Sequence, residues 1–322
     1  MSVMLTVEGL KGASYVPLPE VDVLVIDGAC GSNLQTQVIP DDVWDGHEGC
    51  NEFLNLSSPD IITGLHRAFV EAGAQVLETN TFGASRIVLA EYGLQDRVEL
   101  INRTAVANAR AACADHPEVA LAGSVGPGTK LPSLGHISVT DLTAAVQEQV
   151  SALVGAGVDA LIIETCQDLL QAKTAVRAAL DVLGQAGRDV PVMVSVTVEQ
   201  TGTMLVGTDI AAVAATLEPF PIFSLGLNCA TGPGDMESHI RWLSQNWPGR
   251  ISCIPNQGLP EVVNGKACYP MQPDEYAQTL RRFVEQYGVS IVGGCCGTTP
   301  EHTARLVREL RGVRPARREV PR

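Results

Sequence analysis

Along most of the chain, short runs of consecutive apolar residues alternate with longer stretches whose apolar positions recur at helical spacing. Eight such runs stand out: VLVIDGA (23–29), QVLETNT (75–81), ALAGSVGP (120–127), ALIIETC (160–166), PVMVSVTV (191–198), FSLGLNC (223–229), ISCIPNQ (251–257) and SIVGGCC (290–296). Runs of this kind are expected of parallel strands covered on both faces. The stretches between them read as amphipathic helices. SPDIITGLHRAFVEAG opens with Ser58-Pro59 and carries Asp60 in its first turn. TDLTAAVQEQVSALVGAG opens at Thr140, and QPDEYAQTLRRFVEQYG closes at Gly288, a C-cap.

Eight βα units within about 290 residues match a single (β/α)8 TIM barrel of the α/β class. An open doubly wound sheet is the rival, but no G-x-G-x-x-G follows the first run, where a dinucleotide site would need it. The barrel is expected over 23–310, after an N-terminal extension (1–22). A basic tail, 311–322, follows as a solvated end or the start of a linker.

In such a barrel the active site lies where the strands end. The ends of these runs hold Asp27; Glu78 and Asn80; Ser124; Glu164 and Cys166; Asn228 and Cys229; Asn256; and Cys295 and Cys296. The opposite ends are apolar. Polar and sulfur residues therefore gather at one rim.

Charge narrows the function. A formal net charge of −14 argues against a nucleic-acid binder, which needs a basic face. It also disfavours anionic membrane surfaces. No apolar run approaches the roughly 18 residues of a spanning helix, and the first 20 residues lack signal-peptide character. A cytoplasmic protein is expected. Nine cysteines, an odd number without an export signal, favour metal binding or catalysis over a disulfide framework.

Cys229 ends the sixth run, and Cys295 and Cys296 end the eighth. Side chains from alternate strands share a layer inside a barrel, so three sulfurs could converge on one ion. Neighbours on a strand face opposite ways, but Gly293, Gly294 and Gly297 permit backbone angles that break the pleat. Three cysteines with an open fourth position suit Zn²⁺ at a catalytic site. The competing reading, buried core cysteines, is preferred for Cys50, Cys113, Cys166, Cys253 and Cys268. Three thiolates on zinc favour activation of a substrate thiol over activation of water.

Asp27 and Glu164 come from opposite walls and could grip one ammonium group by charge-assisted hydrogen bonds. Gly28, Ala29 and Gly31 expose N–H groups in a turn suited to a carboxylate. Taken singly, Asp27 could equally cap a turn and Glu164 pair with a base. Together with the thiols they read as a pocket for an amino acid carrying a thiol. The six histidines show no metal-ligand spacing. His302 is expected in a first helical turn, with Thr298 and Glu301 as its capping box. Trp44, Trp242 and Trp247 read as packing or surface residues.

The motifs DGACGSNLQ, GCNEFLNLSSPDII, EAGAQVLETNTFGAS, SVGPGTKLP, IIETCQDLLQAK, GLNCATGP, PNQGLP and VGGCCGTTPEH together resemble the homocysteine S-methyltransferase family. Within it, GLNCATGP and GGCCGTTPEH are most similar to the homocysteine-binding module of cobalamin-dependent methionine synthases. The resemblance implies Zn²⁺ on Cys229, Cys295 and Cys296, with Asn256 as a possible fourth ligand when substrate is absent. It implies that Asp27 and Glu164 hold the amino group of L-homocysteine and that the turn at Gly28 and Ala29 receives the carboxylate. Methylcobalamin, bound by another module or protein, is the expected methyl donor. Betaine, S-methylmethionine or another small donor is the alternative, although S-methylmethionine users usually carry Arg where this chain has Gly297. A non-catalytic binding subunit with structural zinc is the reading from another class. Cys30 stands where the family usually has methionine, which adds a thiol near the pocket and leaves the metal stoichiometry open.

Overall fold

The structure, a computed structural model, describes residues 16–259, 261–263 and 266–320, without the side chains of 261–268. The first 15 residues of the extension and the Cys268 side chain, expected in the core, lie outside the described residues. Eight parallel strands make the wall. They are β1 (Leu24–Val25), β2 (Val76–Glu78), β3 (Ala120–Val125), β4 (Ala160–Cys166), β5 (Val192–Val196), β6 (Ser224–Asn228), β7 (Arg250–Ile254) and β10 (Ile291–Val292). Between the last two, β8 (Glu261–Val263) and β9 (Lys266–Cys268) pair antiparallel as a separate ribbon.

The strands are ordered β1-β10-β7-β6-β5-β4-β3-β2. A bridge between Ile26 and Val76 closes the ring, supported by Gln75 N–H to Val25 O at 2.8 Å and Asp27 N–H to Val76 O at 3.1 Å. This is the expected (β/α)8 barrel.

Alternation along the strands places the site. A cluster formed almost wholly by strand residues, among them Ile26, Val76, Ala122, Ile162, Ile254 and Ile291, fills the lumen. Side chains two apart share a strand face. One step of two beyond these residues come Glu78, Ser124, Glu164 and Asn256, and two steps beyond Ile291 comes Cys295. The lumen therefore turns from apolar to polar at one height on several strands. The outer faces, Leu77, Leu121, Leu161 and Ile163 among them, join the larger cluster between wall and helices.

Most of the apolar runs outlast their strands, those of β1, β7 and β10 among them. β1 stops at Val25, β7 at Ile254 and β10 at Val292. Past those points single hydrogen bonds cross the rim in place of a regular ladder: Gly294 N–H to Asp27 O, Cys295 N–H to Pro255 O and Gln257 N–H to Cys296 O, at 2.8–2.9 Å. Composition does not separate a strand from a rim loop of small residues.

Helix ends follow their sequence signals. Pro59–Glu71 begins with proline in its first turn, and Pro273–Tyr287 ends at Gly288 with φ +66°. Val139–Ala156 starts one residue before Thr140, because the Ser138 hydroxyl accepts from Asp141 N–H. The capping box of Pro300–Glu309 is also displaced by one. It joins Thr299 to His302, whose Nδ1 accepts the Thr299 N–H at 3.3 Å, and not Thr298 to Glu301. Thr298 is engaged elsewhere: its hydroxyl donates to Cys295 O at 2.7 Å. Trp247 is buried, and Trp44 and Trp242 pack against the outer core.

At the far end of the barrel Val16, Leu18 and Val21 cover the lumen cluster. Asp159 there accepts from Val16 N–H, Leu121 N–H and the Arg110 guanidinium, each at 2.8 Å. The basic tail lies back on the barrel as far as it is described. Ala316 N–H donates to Val284 O, and Arg318 donates to Trp247 O and Gly249 O.

Candidate active site

Cys229, Cys295 and Cys296 bring their sulfurs within 4.8 Å of one another, and the Cys229 and Cys296 sulfurs are 3.9 Å apart. Two backbone devices achieve this. Beyond Val292 the chain is no longer a strand, and Thr298 N–H closes a turn on Cys295 O at 3.1 Å. Gly297 within that turn has φ +82°, as the break in the pleat required. Gly293 and Gly294 serve differently from expectation, for neither has positive φ. They permit close approach: a Cβ on Gly293 would lie 2.3 Å from Ile26 Cγ1, and one on Gly294 2.3 Å from Thr298 Oγ1. The second device is at Cys229, which is itself left-handed (φ +60°), as is Ala230 (φ +56°). Such conformations cost on the order of 1–3 kcal/mol each and cluster at functional sites.

The three thiols share charge unequally. Hydrogen bonds from Cys229 and Cys295, with a smaller one from Tyr269, pull Cys296 down to about 3. Cys295 is held well above the ordinary thiol range, first by its bond to Cys229. For Cys229 the bond to Cys295 lowers, but the bond to Cys296, burial and the Cys296 charge prevail, and it rises to about 11. Within the trio, ionisation of one thiol opposes that of the others. A cation would be needed to ionise all three.

At the same rim stand three carboxylates. Asp27 and Glu164 are 3% and 7% exposed. Burial, followed by the Glu164 charge, raises Asp27 well above the ordinary range. Glu78 is raised likewise, by burial and then by the Glu164 and Asp27 charges. Glu164 is raised by burial. Asp27 Oδ2 accepts Glu78 N–H at 3.1 Å, while buried Oδ1 has no partner among the described residues. Like charges this close cannot all ionise in a dry site, so the cluster is electrostatically complementary to a cation.

Asn228 ties the two groups together. Its Oδ1 accepts from Thr165 N–H (2.8 Å) and Ser195 Oγ (2.5 Å). Its Nδ2 donates to Thr165 Oγ1 (2.7 Å) and Glu164 Oε2 (3.2 Å) and lies 3.9 Å from Cys295 Sγ. Thr165 is left-handed (φ +55°) at an irregularity in β4 between Ile163 and Cys166. Ser124 Oγ completes the hold on Glu164, donating to Oε1 at 2.6 Å.

A cavity of about 240 Å³ opens between these groups, lined by the three cysteines, Asp27, Glu78, Glu164 and the Gly28–Ala29 turn. Every residue expected at the site lines it except Asn256, which is 4% exposed and whose Oδ1 has no partner among the described residues. Of the two turn amides, Ala29 N–H already donates to Thr298 Oγ1 at 3.2 Å. Cys30 lines the same cavity, its thiol 3.5 Å from Asn80 Oδ1. Cys50, Cys113, Cys166 and Cys253 are buried and free, apart from the sulfur trio.

A model of the homocysteine S-methyltransferase family matches residues 24–310. The chain belongs to that family. Methionine synthase of Mycobacterium leprae (strain TN) is 46% identical over 285 residues, 87% of this chain and 24% of that protein. Methionine synthase of Mycobacterium tuberculosis (strain ATCC 25618 / H37Rv) is 43% identical over 303 residues, 92% of this chain and 25% of that protein. The chain thus spans about a quarter of the length of these relatives. The metallated form of the homocysteine methyltransferase MmuM from Escherichia coli superposes with a TM-score of 0.71 at 24% identity, covering 89% of this chain and 96% of that one. At that identity the superposition speaks for the barrel alone. Family membership makes the chain a methyltransferase by kind. Among the described residues no helix is long and apolar enough to cross a membrane.

Glu78 and Asn228 were placed at the rim by the strand ends, but neither had a role there. Thr165, Tyr269 and His66 were not anticipated. A polar residue in the apolar stripe of Pro59–Glu71, between Leu65 and Phe69, was the signal for His66.

Proposed function

We propose that this chain transfers a methyl group to the sulfur of L-homocysteine, giving L-methionine. The observation that carries the reading is one cavity whose lining holds both a cluster of sulfur donors and a cation-seeking carboxylate cluster. That spacing of functions fits an amino acid with a short thiol side chain.

The thiols suit Zn²⁺. Three sulfurs already converge, all-thiolate donor sets favour zinc, and buried Asn256 Oδ1, without a partner among the described residues, is close in sequence to Pro255, whose carbonyl holds Cys295 N–H. Cys229, Cys295 and Cys296 would hold the ion, with Asn256 as a further donor in the absence of substrate. Bound zinc supplies acidity to a substrate thiol while leaving its sulfur nucleophilic.

The remaining work belongs to the chain. Asp27 and Glu164 receive the substrate ammonium, whose charge offsets the repulsion that keeps these carboxyls protonated. Asn228, Ser124 and left-handed Thr165 fix the angle of Glu164. The Gly28–Ala29 turn faces the carboxylate. The substrate sulfur is then aimed at the thiol wall and open to a methyl group arriving from above the rim.

Methylcobalamin, presented by another module of a longer enzyme or by a separate protein in the cytoplasm, is the donor we favour. The named relatives are methionine synthases about four times longer than the match. Position 297 supports the choice: a Cβ there would lie 2.4 Å from Tyr269 Cγ, so the arginine typical of S-methylmethionine users has no room. Purified protein loaded with zinc and offered methylcobalamin, S-methylmethionine or betaine separately decides the matter. Methionine formed from methylcobalamin is expected; formation only from S-methylmethionine or betaine would reverse the donor assignment.

A further inference from the structure

We infer that His66 is a substrate-binding residue, its imidazole hydrogen-bonding the carboxylate of the amino-acid substrate beside the Gly28–Ala29 turn. The inference rests on the homocysteine reading above and extends it to a residue outside the strand ends.

The cavity has an unbalanced lining. Asp27, Glu52, Glu78 and Glu164 face it, and among the described residues no arginine or lysine does. An amino acid brings both an ammonium and a carboxylate. The ammonium has an excess of partners; the carboxylate has few. Of the turn amides expected to take it, Ala29 N–H is occupied by Thr298. A carboxylate taken from water needs more than one good donor to offset its desolvation.

His66 is the one side-chain base lining this cavity among the described residues. It is 2% exposed, and its Nε2 has no hydrogen-bond partner among the described residues. A buried, unpaired imidazole nitrogen costs stability unless something meets it. Position matters as well. His66 and Phe69 lie three apart on Pro59–Glu71, hence on one helix face. Phe69 packs on the turn so closely that a Cβ on Gly28 would sit 2.9 Å from its ring. The face that carries His66 is therefore the face that meets the carboxylate turn. Burial holds the free imidazole neutral, down at about 4. A neutral ring still donates one N–H, and an anion beside it favours the charged form.

The test pairs two substitutions with two ligands on the zinc-loaded protein. L-homocysteine and 3-aminopropane-1-thiol, the same molecule without its carboxylate, are titrated calorimetrically into wild type, His66→Leu and His66→Gln. Leucine keeps the volume and removes both nitrogens, and glutamine keeps an N–H donor. His66→Leu is expected to weaken homocysteine binding tenfold or more, the size of a hydrogen bond to a charged group, and to leave the aminothiol unchanged. His66→Gln should recover part of the loss. Equal weakening of both ligands, or no weakening of either, overturns the inference while the homocysteine reading stands. Failure of wild type to bind either ligand would sink that reading, and this inference with it.

Discussion

Two buried aspartates, one at each end of the barrel, divide structure from function. Asp159 at the closed end has a fully buried side chain, and its oxygens accept two backbone N–H groups and the Arg110 guanidinium. Asp27 at the rim is almost as buried, yet one oxygen takes a single N–H and the other takes nothing among the described residues, with the Glu164 charge adding repulsion. The fold satisfies the first acid. It leaves the second for a ligand. A buried carboxylate without partners destabilises the free protein and is most readily explained by a cation that arrives later.

The sharpest way to break this division is at the thiol wall. Cys296→Ala removes one of the three converging sulfurs, and it should abolish zinc retention and turnover while the circular dichroism of the barrel stays unchanged. Metal analysis of the purified variant checks it, and full zinc content would refute the site. Next in size is Glu164→Gln. It removes one charge from the clamp and leaves a single oxygen for two donors, Ser124 on Oε1 and Asn228 on Oε2. Homocysteine binding should weaken about 10- to 100-fold, as for a lost hydrogen bond to a charged group, with zinc content intact.

The aspartates themselves come third. Asp159→Asn weakens the pair with Arg110 and unsettles two backbone donors, so unfolding in denaturant should show a loss of about 2 kcal/mol. That is below the usual cost of breaking a fully buried pair, because Arg110 is partly exposed. Asp27→Asn should cost nothing above neutral pH and abolish tight homocysteine binding. A large stability loss at Asp27 with none at Asp159 would invert the comparison.

The pH dependence follows with its sign. Carboxyls whose folded pKa lies above the unfolded value bind protons more tightly when folded. Their contribution is fully present below about pH 4, the ordinary carboxylate range, and is lost as pH rises through the folded values. Substrate-free protein should therefore lose stability over that interval, and Glu78→Gln should flatten the slope by removing one of the three groups. A slope unchanged in the variant would mean that Glu78 does not titrate with the others.

Much of this was legible in the residues because barrel strands announce themselves twice, by apolar runs and by what stands at their ends. Cys229, Cys295, Cys296, Asp27 and Glu164 occupy such ends, and the structure sets all five around one cavity. What could not be read is of two kinds. Backbone conformation is hidden when the residue is not glycine: nothing marks Cys229, Ala230 or Thr165 as left-handed, since tertiary bonds such as those of Asn228 impose it. Helix residues that reach the lumen are also hidden, because His66 follows the same spacing as its apolar neighbours. The glycines before the cysteine pair were found for the wrong reason, as bends where they are contacts with Ile26 and Thr298.

The smallest effect expected is none at all, and it bears on the extra thiol. Cys30 lies in the cavity beside four carboxylates but outside the group of three converging sulfurs. Burial, then the charges of Glu52, Asp27 and Glu78, hold its proton firmly. Its sulfur stands apart from the converging trio, and its own hydrogen bond runs to Asn80. Like Asp159, it is a group the fold has already answered. Cys30→Ser should leave one zinc per chain by metal analysis and homocysteine affinity within about twofold, since serine repeats the donor to Asn80. A fall in zinc content would move Cys30 to the other side of the comparison and require a second ion in the cavity.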